Sequence, residues 1–288
     1  MRGVSRLLGY LSLVWETLEA SAMTVAARLF LERTLDAPEL RGFCGGHVAL
    51  FTAAAPGGGR TNEDGLVCAE LAGGSGVLAV ADGAGGAPAG DRACAIALRR
   101  LLACLEGVNG KSLREAILMG FDDANRAVAG LGVGAATTLA VVRIEGGTVR
   151  SYHAGDSLVL VVGQRGRRRH ETIAHSPVGY AVHAGVLDEV EAIFHEQRHL
   201  VSNLVGLPDM RVEMSASIPL HARDTVLLAS DGLSDNLHVD EIVELIRKGP
   251  LDEAAVGLAA AGAARMQGSK GGVPSKPDDL TFALFRQG

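Results

Sequence analysis

Leu78-Ala79-Val80-Ala81-Asp82-Gly83-Ala84-Gly85-Gly86-Ala87-Pro88-Ala89-Gly90-Asp91 is the stretch that organises the rest of the chain. Leu78 to Ala81 gives the signal of a buried strand and runs directly into Asp82. Gly83, Gly85 and Gly86 follow, then a loop containing Pro88 and a helix-like run from about Asp91. A carboxylate at the mouth of a buried strand is held by the sheet, and nearby glycines let backbone carbonyls approach a ligand. That suits a hard cation. Asp-Gly is equally an ordinary turn, and this segment alone leaves both readings open.

Working outward, His47–Ala54, Gly65–Leu71 and Ser75–Ala81 read as strands, with Gly57-Gly58-Gly59 as a turn. Arg60-Thr61-Asn62-Glu63-Asp64 precedes the second strand. It is a solvated hairpin turn unless neighbouring strands bring Asp64 to Asp82. Further upstream, Gly3 to Leu35 reads as helix, with Leu7, Leu8, Leu11, Val14, Trp15 and Leu18 at helical spacing, and Asp36-Ala37-Pro38 ends it. This predicts a helical extension over residues 1–40, docked on its own domain, a second subunit or a partner, ahead of a domain over 41–288.

Downstream, Asp91–Leu105 and Ser112–Ala129 read as helices, the second opened by a Ser112-x-x-Glu115 capping signature. Strands follow at Ala136–Ile144, Thr148–Ala154 and Ser157–Val162. Gly163–His170 is a basic loop, either a solvated tip or a contact for a phosphorylated or acidic partner. Tyr180–His199 reads as an irregular surface flap, Met210–Ile218 and Asp224–Ala229 as strands, Val239–Lys248 and Leu251–Met266 as helices, and Leu280–Phe285 as a closing strand. Paired helices between blocks of strands fit two sheets covered by helices better than a parallel doubly wound sheet.

The chain has 288 residues, with 27 basic against 33 acidic side chains and a net charge of −6. No general basic excess favours nucleic acid or an anionic membrane. Cys44, Cys68, Cys94 and Cys104 form no CxxC pair and suit small buried hydrophobes in a reducing compartment. Arg2, Arg6, the apolar run Leu7–Trp15 and Ala20-Ser21-Ala22 loosely imitate a secretion signal, but Glu16 and Glu19 interrupt it. With no apolar run of about 20 residues, the expectation is a cytoplasmic protein without a membrane span.

Four acids hold comparable places: Asp82 after LAVA, Asp231 after VLLAS, Asp156 after YHAG, and Asp278 just before LTFALF. Carboxylates at strand ends can converge on one edge of a sheet stack, where they repel unless protonated or neutralised. Mg²⁺ or Mn²⁺, which take oxygen ligands, is the natural neutraliser.

Asn62-Glu63-Asp64, VADGAGG at Val80–Gly86 with Gly90-Asp91, GAATT at Gly134–Thr138, AGDS at Ala154–Ser157, LLASDGLSDNL at Leu227–Leu237 and DDLT at Asp278–Thr281 occur in that order. Together they resemble the metal-dependent protein phosphatases (PPM-type, protein phosphatase 2C-like), and specifically bacterial-type members, over about Gly45 to Phe285.

The resemblance implies a four-layer α/β/β/α sandwich, two central antiparallel β-sheets flanked by helices, with two Mn²⁺ or Mg²⁺ ions at one end. It implies that Asp82 bridges both ions, that the Gly83 carbonyl ligates one, and that Asp231 and Asp278 complete the set. Glu63 and Asp64 would act through water at the centre, Asp156 and Asp235 would join Asp231 around a weaker third ion, and Arg60 would clamp phosphate. The implied reaction is hydrolysis of phosphoserine or phosphothreonine in a protein, opposed to a Ser/Thr kinase, by in-line attack of a water or hydroxide bridging the ions. A phosphoprotein-binding scaffold with weak catalysis and a small-molecule phosphomonoesterase are the alternatives.

Three positions depart from the family pattern. The usual clamp position is Gly59, one residue before Arg60; Ala84 stands where some members have His; and Asp279 replaces the customary Asn.

Overall fold

A computed structural model describes residues 25–57, 59–84, 89–107, 112–268 and 273–288. The first elements are strands: β1 (Ala26–Leu31), β2 (Glu39–Phe43), β3 (Gly46–Ala53), β4 (Asp64–Leu71) and β5 (Ser75–Asp82). Helices α1 (Gly90–Glu106) and α2 (Leu113–Ala129) follow, then β6 (Leu139–Glu145), β7 (Thr148–Ala154), β8 (Leu158–Val162) and β9 (Arg168–Glu171). Short helices α3 (Pro177–His183) and α4 (Glu189–Ala192) lead to β10 (Glu213–Met214), β11 (Ile218–Pro219) and β12 (Thr225–Ala229). The chain closes with α5 (Asp231–Ser234), α6 (Val239–Ile246), α7 (Leu251–Gln267) and β13 (Leu280–Gln287).

Two antiparallel sheets result, ordered β1-β4-β5-β6-β7-β10, with β11 also on β7, and β2-β3-β13-β12-β8-β9. Period-two alternation sorts their side chains into layers. Along β5, Leu78 and Val80 face the other sheet, where they meet Leu50, Val226, Leu228 and Phe285. Val77, Ala79 and Ala81 turn the other way, onto Leu98, Leu101 and Ile117 of α1 and α2. Leu227 and Ala229 of β12 likewise pack outward on Ile242 and Leu258 of α6 and α7. Three apolar layers between four structural layers give the expected α/β/β/α sandwich. The Ser112 capping box is formed, with Glu115 N–H donating to Ser112 Oγ at 3.2 Å and Ser112 N–H to Glu115 Oε2 at 2.8 Å.

The expected helix through Leu35 does not hold where it can be seen. Ala26–Leu31 is β1, paired along its length with β4. Phe30 enters the core between the sheets while Leu29 and Leu31 pack toward α1 and α2, so the apolar run has strand period. A boundary at residue 40 therefore separates β1 from the sheet it belongs to; the remaining helical expectation, Gly3 to Thr24, lies outside the described residues.

The basic loop is also corrected: Arg168–Glu171 is a strand on β8. Arg168 pairs with Glu189 and Asp240 at 3.0 and 2.6 Å, and Arg169 pairs with Asp224, so those charges are used within the chain. The flap carries α3 and α4 rather than being irregular throughout, and Met210–Ile218 contributes only the short strands β10 and β11. Cys44, Cys68, Cys94 and Cys104 are not joined by disulfides. Among the described residues no helix is long and apolar enough to cross a membrane.

Candidate functional site

Antiparallel pairing alone explains why distant acids meet. β4 begins where β5 ends, and Asp64 lies opposite Asp82. In the other sheet β12 ends beside the start of β13, so Asp231 and Asp278 emerge from the same edge. β13 packs on β4 and β12 on β5, which brings the two edges together.

Hydrogen bonds fix each acid. Ser230 Oγ, wholly buried, donates across the sheets to Asp64 Oδ2 at 2.7 Å. Asn62 Oδ1 accepts from Asp64 N–H at 2.9 Å, and Asn62 Nδ2 donates to Thr52 Oγ1 at 2.9 Å. Thr138 and Thr137 explain the small-residue GAATT stretch: Asp82 N–H donates to Thr138 Oγ1 at 3.0 Å, and Thr137 Oγ1 donates to the Asp82 carbonyl at 2.8 Å. Thr138 Oγ1 also meets Ser157 Oγ at 2.9 Å, tying Asp82 to the neighbour of Asp156. Two glycines are sterically required. A Cβ on Gly83 would stand 2.5 Å from the Gly90 carbonyl carbon, and one on Gly232 would stand 1.8 Å from the Asp279 oxygen.

The carboxylates are crowded and drawn from water. Burial, then the charges of Asp64 and Asp231, push Asp82 well above the usual carboxylate range. Burial pushes Asp64 up strongly against the help of Ser230, with Asp279 adding to the rise. Asp156 is raised to about 7 by burial and then by Asp231 and Asp235. Burial followed by Asp231 also raises Asp235 and Asp278, opposed in both cases by Lys276.

Lys276 is the residue that the sequence reading missed. Its Nζ lies 3.1 Å from Asp231, 2.7 Å from Asp235 and 2.9 Å from Asp278. It lies in the Gly-, Lys- and Pro-containing stretch before the closing strand, and a cation two positions before Asp278 is the signal there. Asp279, which replaces the customary Asn, accepts from Glu63 N–H at 2.6 Å and Ala55 N–H at 2.7 Å, and so pins the first acidic segment to the last strand.

The structure thus gathers Asp64, Asp82, Asp156, Asp231, Asp235 and Asp278. Glu63 lies at the rim, raised by burial and lowered by Arg60, and Gly83 N–H bonds its carbonyl at 3.2 Å. Arg60 is not among the acids: its side chain is 77% exposed and, among the described residues, its one ion pair is with Glu63, at 4.0 Å. Beside Asp156 and Asp235 opens a cavity of about 500 Å³ under the flap, lined by Val178, Val182, Ile193 and Arg198.

The donor set fits hard divalent cations. Every ligand available among these acids is oxygen, as Mg²⁺ and Mn²⁺ require, and the chain's own ammonium is drawn in among three of them. A second cluster, His153, His175 and Glu213, has ligand atoms within 4.8 Å of one another, a spacing compatible with a metal. Its hydrogen bonds commit it elsewhere. Asn203 Nδ2, oriented by Arg211, donates to His175 Nδ1 at 2.8 Å, and Gly155 N–H donates there at 3.1 Å. The Nδ1 lone pair is therefore taken, the proton sits on Nε2, and Nε2 donates to Glu213 at 3.3 Å instead of ligating.

The sequence profile described as Protein phosphatase 2C matches residues 55–252. The protein phosphatase PhpP of Streptococcus pneumoniae is 30% identical over 153 residues, 52% of this chain and 58% of PhpP. The match thus spans less than two thirds of that curated relative. The S. agalactiae serine/threonine phosphatase superposes with a TM-score of 0.70 at 27% identity, covering 83% of this chain and 98% of that one. The catalytic domain of the serine/threonine protein phosphatase PstP, solved in complex with 2 manganese ions, shares the fold with a TM-score of 0.64 at 22% identity, over 91% of this chain and 99% of that one.

Proposed function

This chain belongs to the protein phosphatase 2C family, and from that premise we propose that it hydrolyses phosphoserine and phosphothreonine in proteins, using two Mn²⁺ or Mg²⁺ ions. One observation carries the reading: antiparallel pairing sets Asp64 opposite Asp82 in one sheet and brings Asp231 and Asp278 to the same edge of the other, close enough that the charge of Asp231 raises the proton affinity of both Asp82 and Asp278. Such a concentration of carboxylate at neutral pH is stabilised by divalent cations.

Asp82, the Gly83 carbonyl, Asp231 and Asp278 would hold the two ions, and Asp156 and Asp235 would join Asp231 around a weaker third. When bound, the ions supply Lewis acidity to a water nucleophile and to the phosphoryl oxygens. The protein's part is positioning. Ser230, Thr137, Thr138 and Asn62 hold the acids so that little reorganises during reaction. Glu63 and Asp64 orient water. Arg60, long and exposed beside Glu63, grips two phosphoryl oxygens in a fork. The cavity under the flap receives the segment flanking the phosphorylated residue; it is lined by the apolar Val178, Val182 and Ile193, the guanidinium of Arg198 and the carboxylates of Glu171, Glu189 and Asp240.

The protein phosphatase activity of PhpP and the manganese of PstP support this assignment. A Ser/Thr kinase would supply the substrate, in the cytoplasm. The test is hydrolysis of phosphoserine, phosphothreonine and phosphotyrosine peptides and of an aryl phosphate, with Mn²⁺ or with chelator. Turnover should need the metal and favour the first two peptides, and Asp82→Asn and Asp231→Asn should each lower it at least about tenfold. Substantial turnover in chelator defeats the mechanism, and preference for the free aryl ester over every peptide transfers the protein to small-molecule chemistry.

A further inference from the structure

An ammonium inside an acid centre is unusual because a lysine is seldom withdrawn from solvent unless paired. Here three carboxylates surround it. Lys276 Nζ donates to Asp231 at 3.1 Å and to Asp235 at 2.7 Å, and forms an ion pair with Asp278 at 2.9 Å.

The side chain is also aimed from a fixed base. Lys276 N–H donates to Asn236 Oδ1 at 2.8 Å, and Asn236 Nδ2 returns a bond to the Lys276 carbonyl at 2.8 Å. Asn236 is wholly buried, follows Asp235 directly, and also donates to the Gly232 carbonyl at 2.9 Å. The clamp joins the lysine backbone to the turn that carries Asp231 and Asp235. The cation is therefore presented at high effective concentration, with four rotatable bonds free to withdraw it.

Its location decides what it does. Asp231 is shared between the two ion sets of the proposed reading, Asp235 belongs to the third-ion set and Asp278 to the binuclear one. An ammonium holds oxygens at about 2.7–3.1 Å, whereas Mg²⁺ draws them to about 2.0–2.1 Å, so the two cannot occupy the same seat. We propose that Lys276 is a tethered counter-cation that occupies one divalent seat among Asp231, Asp235 and Asp278, lowering the number or affinity of the divalent ions the centre takes. This rests on the acids being the metal centre. The lysine neutralises the centre while the metal is scarce and must swing away when that seat fills.

Calorimetric titration of chelator-stripped, dialysed protein with Mn²⁺ at pH 7.5 tests it in wild type, Lys276→Met and Lys276→Arg. Lys276→Met should bind the weakest ion at least about tenfold more tightly or take up one ion more; Lys276→Arg, which keeps the charge, should stay within about threefold of wild type. In chelator the Met variant should melt below wild type, and Mn²⁺ should raise its melting temperature by more. Should Lys276→Met fail to fold, Lys276→Gln repeats the titration with a neutral group that still donates hydrogen bonds. Wild type that binds Mn²⁺ alongside a neutral variant with the same or weaker affinity overturns the tether and leaves the metal centre standing. No Mn²⁺ uptake by any of the proteins overturns both.

Discussion

Two buried polar clusters meet at Gly155-Asp156, and they solve the same problem in opposite ways. On the Gly155 side, His175 accepts from Gly155 and Asn203 and donates to Glu213, while His153 Nε2 bonds the Ile173 carbonyl at 3.0 Å. Donors and acceptors nearly balance; the open position is His153 Nδ1, which has no partner among the described residues. On the Asp156 side, six aspartates cluster with one ammonium, which pairs with three of them. A balanced cluster holds itself together, whereas one with excess acceptors needs an outside cation. By that criterion the histidines staple the base of the flap, and the proposed metal centre belongs on the aspartates. Spacing alone would have chosen the histidines.

The sharpest way to break the contrast is to remove one member from each side. Asp82→Asn should lower Mn²⁺-dependent hydrolysis at least about tenfold, yet raise the melting temperature in chelator, because it deletes a repelled charge. His175→Ala should do the reverse. It leaves the Gly155 N–H and the Asn203 amide without their acceptor, which costs about 1–3 kcal/mol for each group left unsatisfied. Chemical denaturation should show that loss while Mn²⁺ affinity stays within about threefold. If His175→Ala abolishes Mn²⁺ binding with the fold intact, the assignment of the two clusters is inverted.

The contrast also has a pH signature, smaller than either deletion. Asp64, Asp82 and Asp156 have raised affinities for their protons, Asp156 to about 7. Their stabilising contribution is present below the unfolded carboxylate value near 4 and is lost as pH rises through each folded value, which for Asp156 is about 7. His153 is depressed to about 4 by burial, opposed by its bond to Ile173, so its contribution is present above about 6.5 and is lost as pH falls toward 4. Metal-free protein should show both limbs in urea titrations across pH. Saturating Mn²⁺ should remove the carboxylate limb and leave the histidine one, since metal competes with those protons. A carboxylate limb that survives Mn²⁺ would separate the metal from these acids.

The sequence made the sheets legible wherever period two was uninterrupted: β3, β4, β5 and β7 were located to within a residue or so because alternate side chains enter different apolar layers. β1 was misread because six residues, AARLFL, fit either period once joined to an apolar run before them. The aspartates were legible since a strand end is a local feature, and antiparallel pairing then sets which ends meet. Lys276 and the His175 staple were not. Each acts through a loop path, and hydrophobic pattern does not constrain where a loop carries a side chain.

Asp279 gives the smallest and most discriminating test, because it sits beside the centre but behaves like the balanced cluster. Both of its oxygens accept backbone N–H groups, from Ala55 and Glu63. An asparagine there keeps one oxygen and turns an amide N–H₂ toward the other donor. Asp279→Asn should therefore cost about 1 kcal/mol in chemical denaturation. It also removes a charge that raises Asp64 and Glu63, so Mn²⁺ affinity should fall by no more than about fivefold. A loss of affinity on the scale of Asp82→Asn, with stability unchanged, would make Asp279 a ligand. A loss of stability with near-normal binding makes it the strut that the geometry indicates, holding the first acidic segment against the last strand.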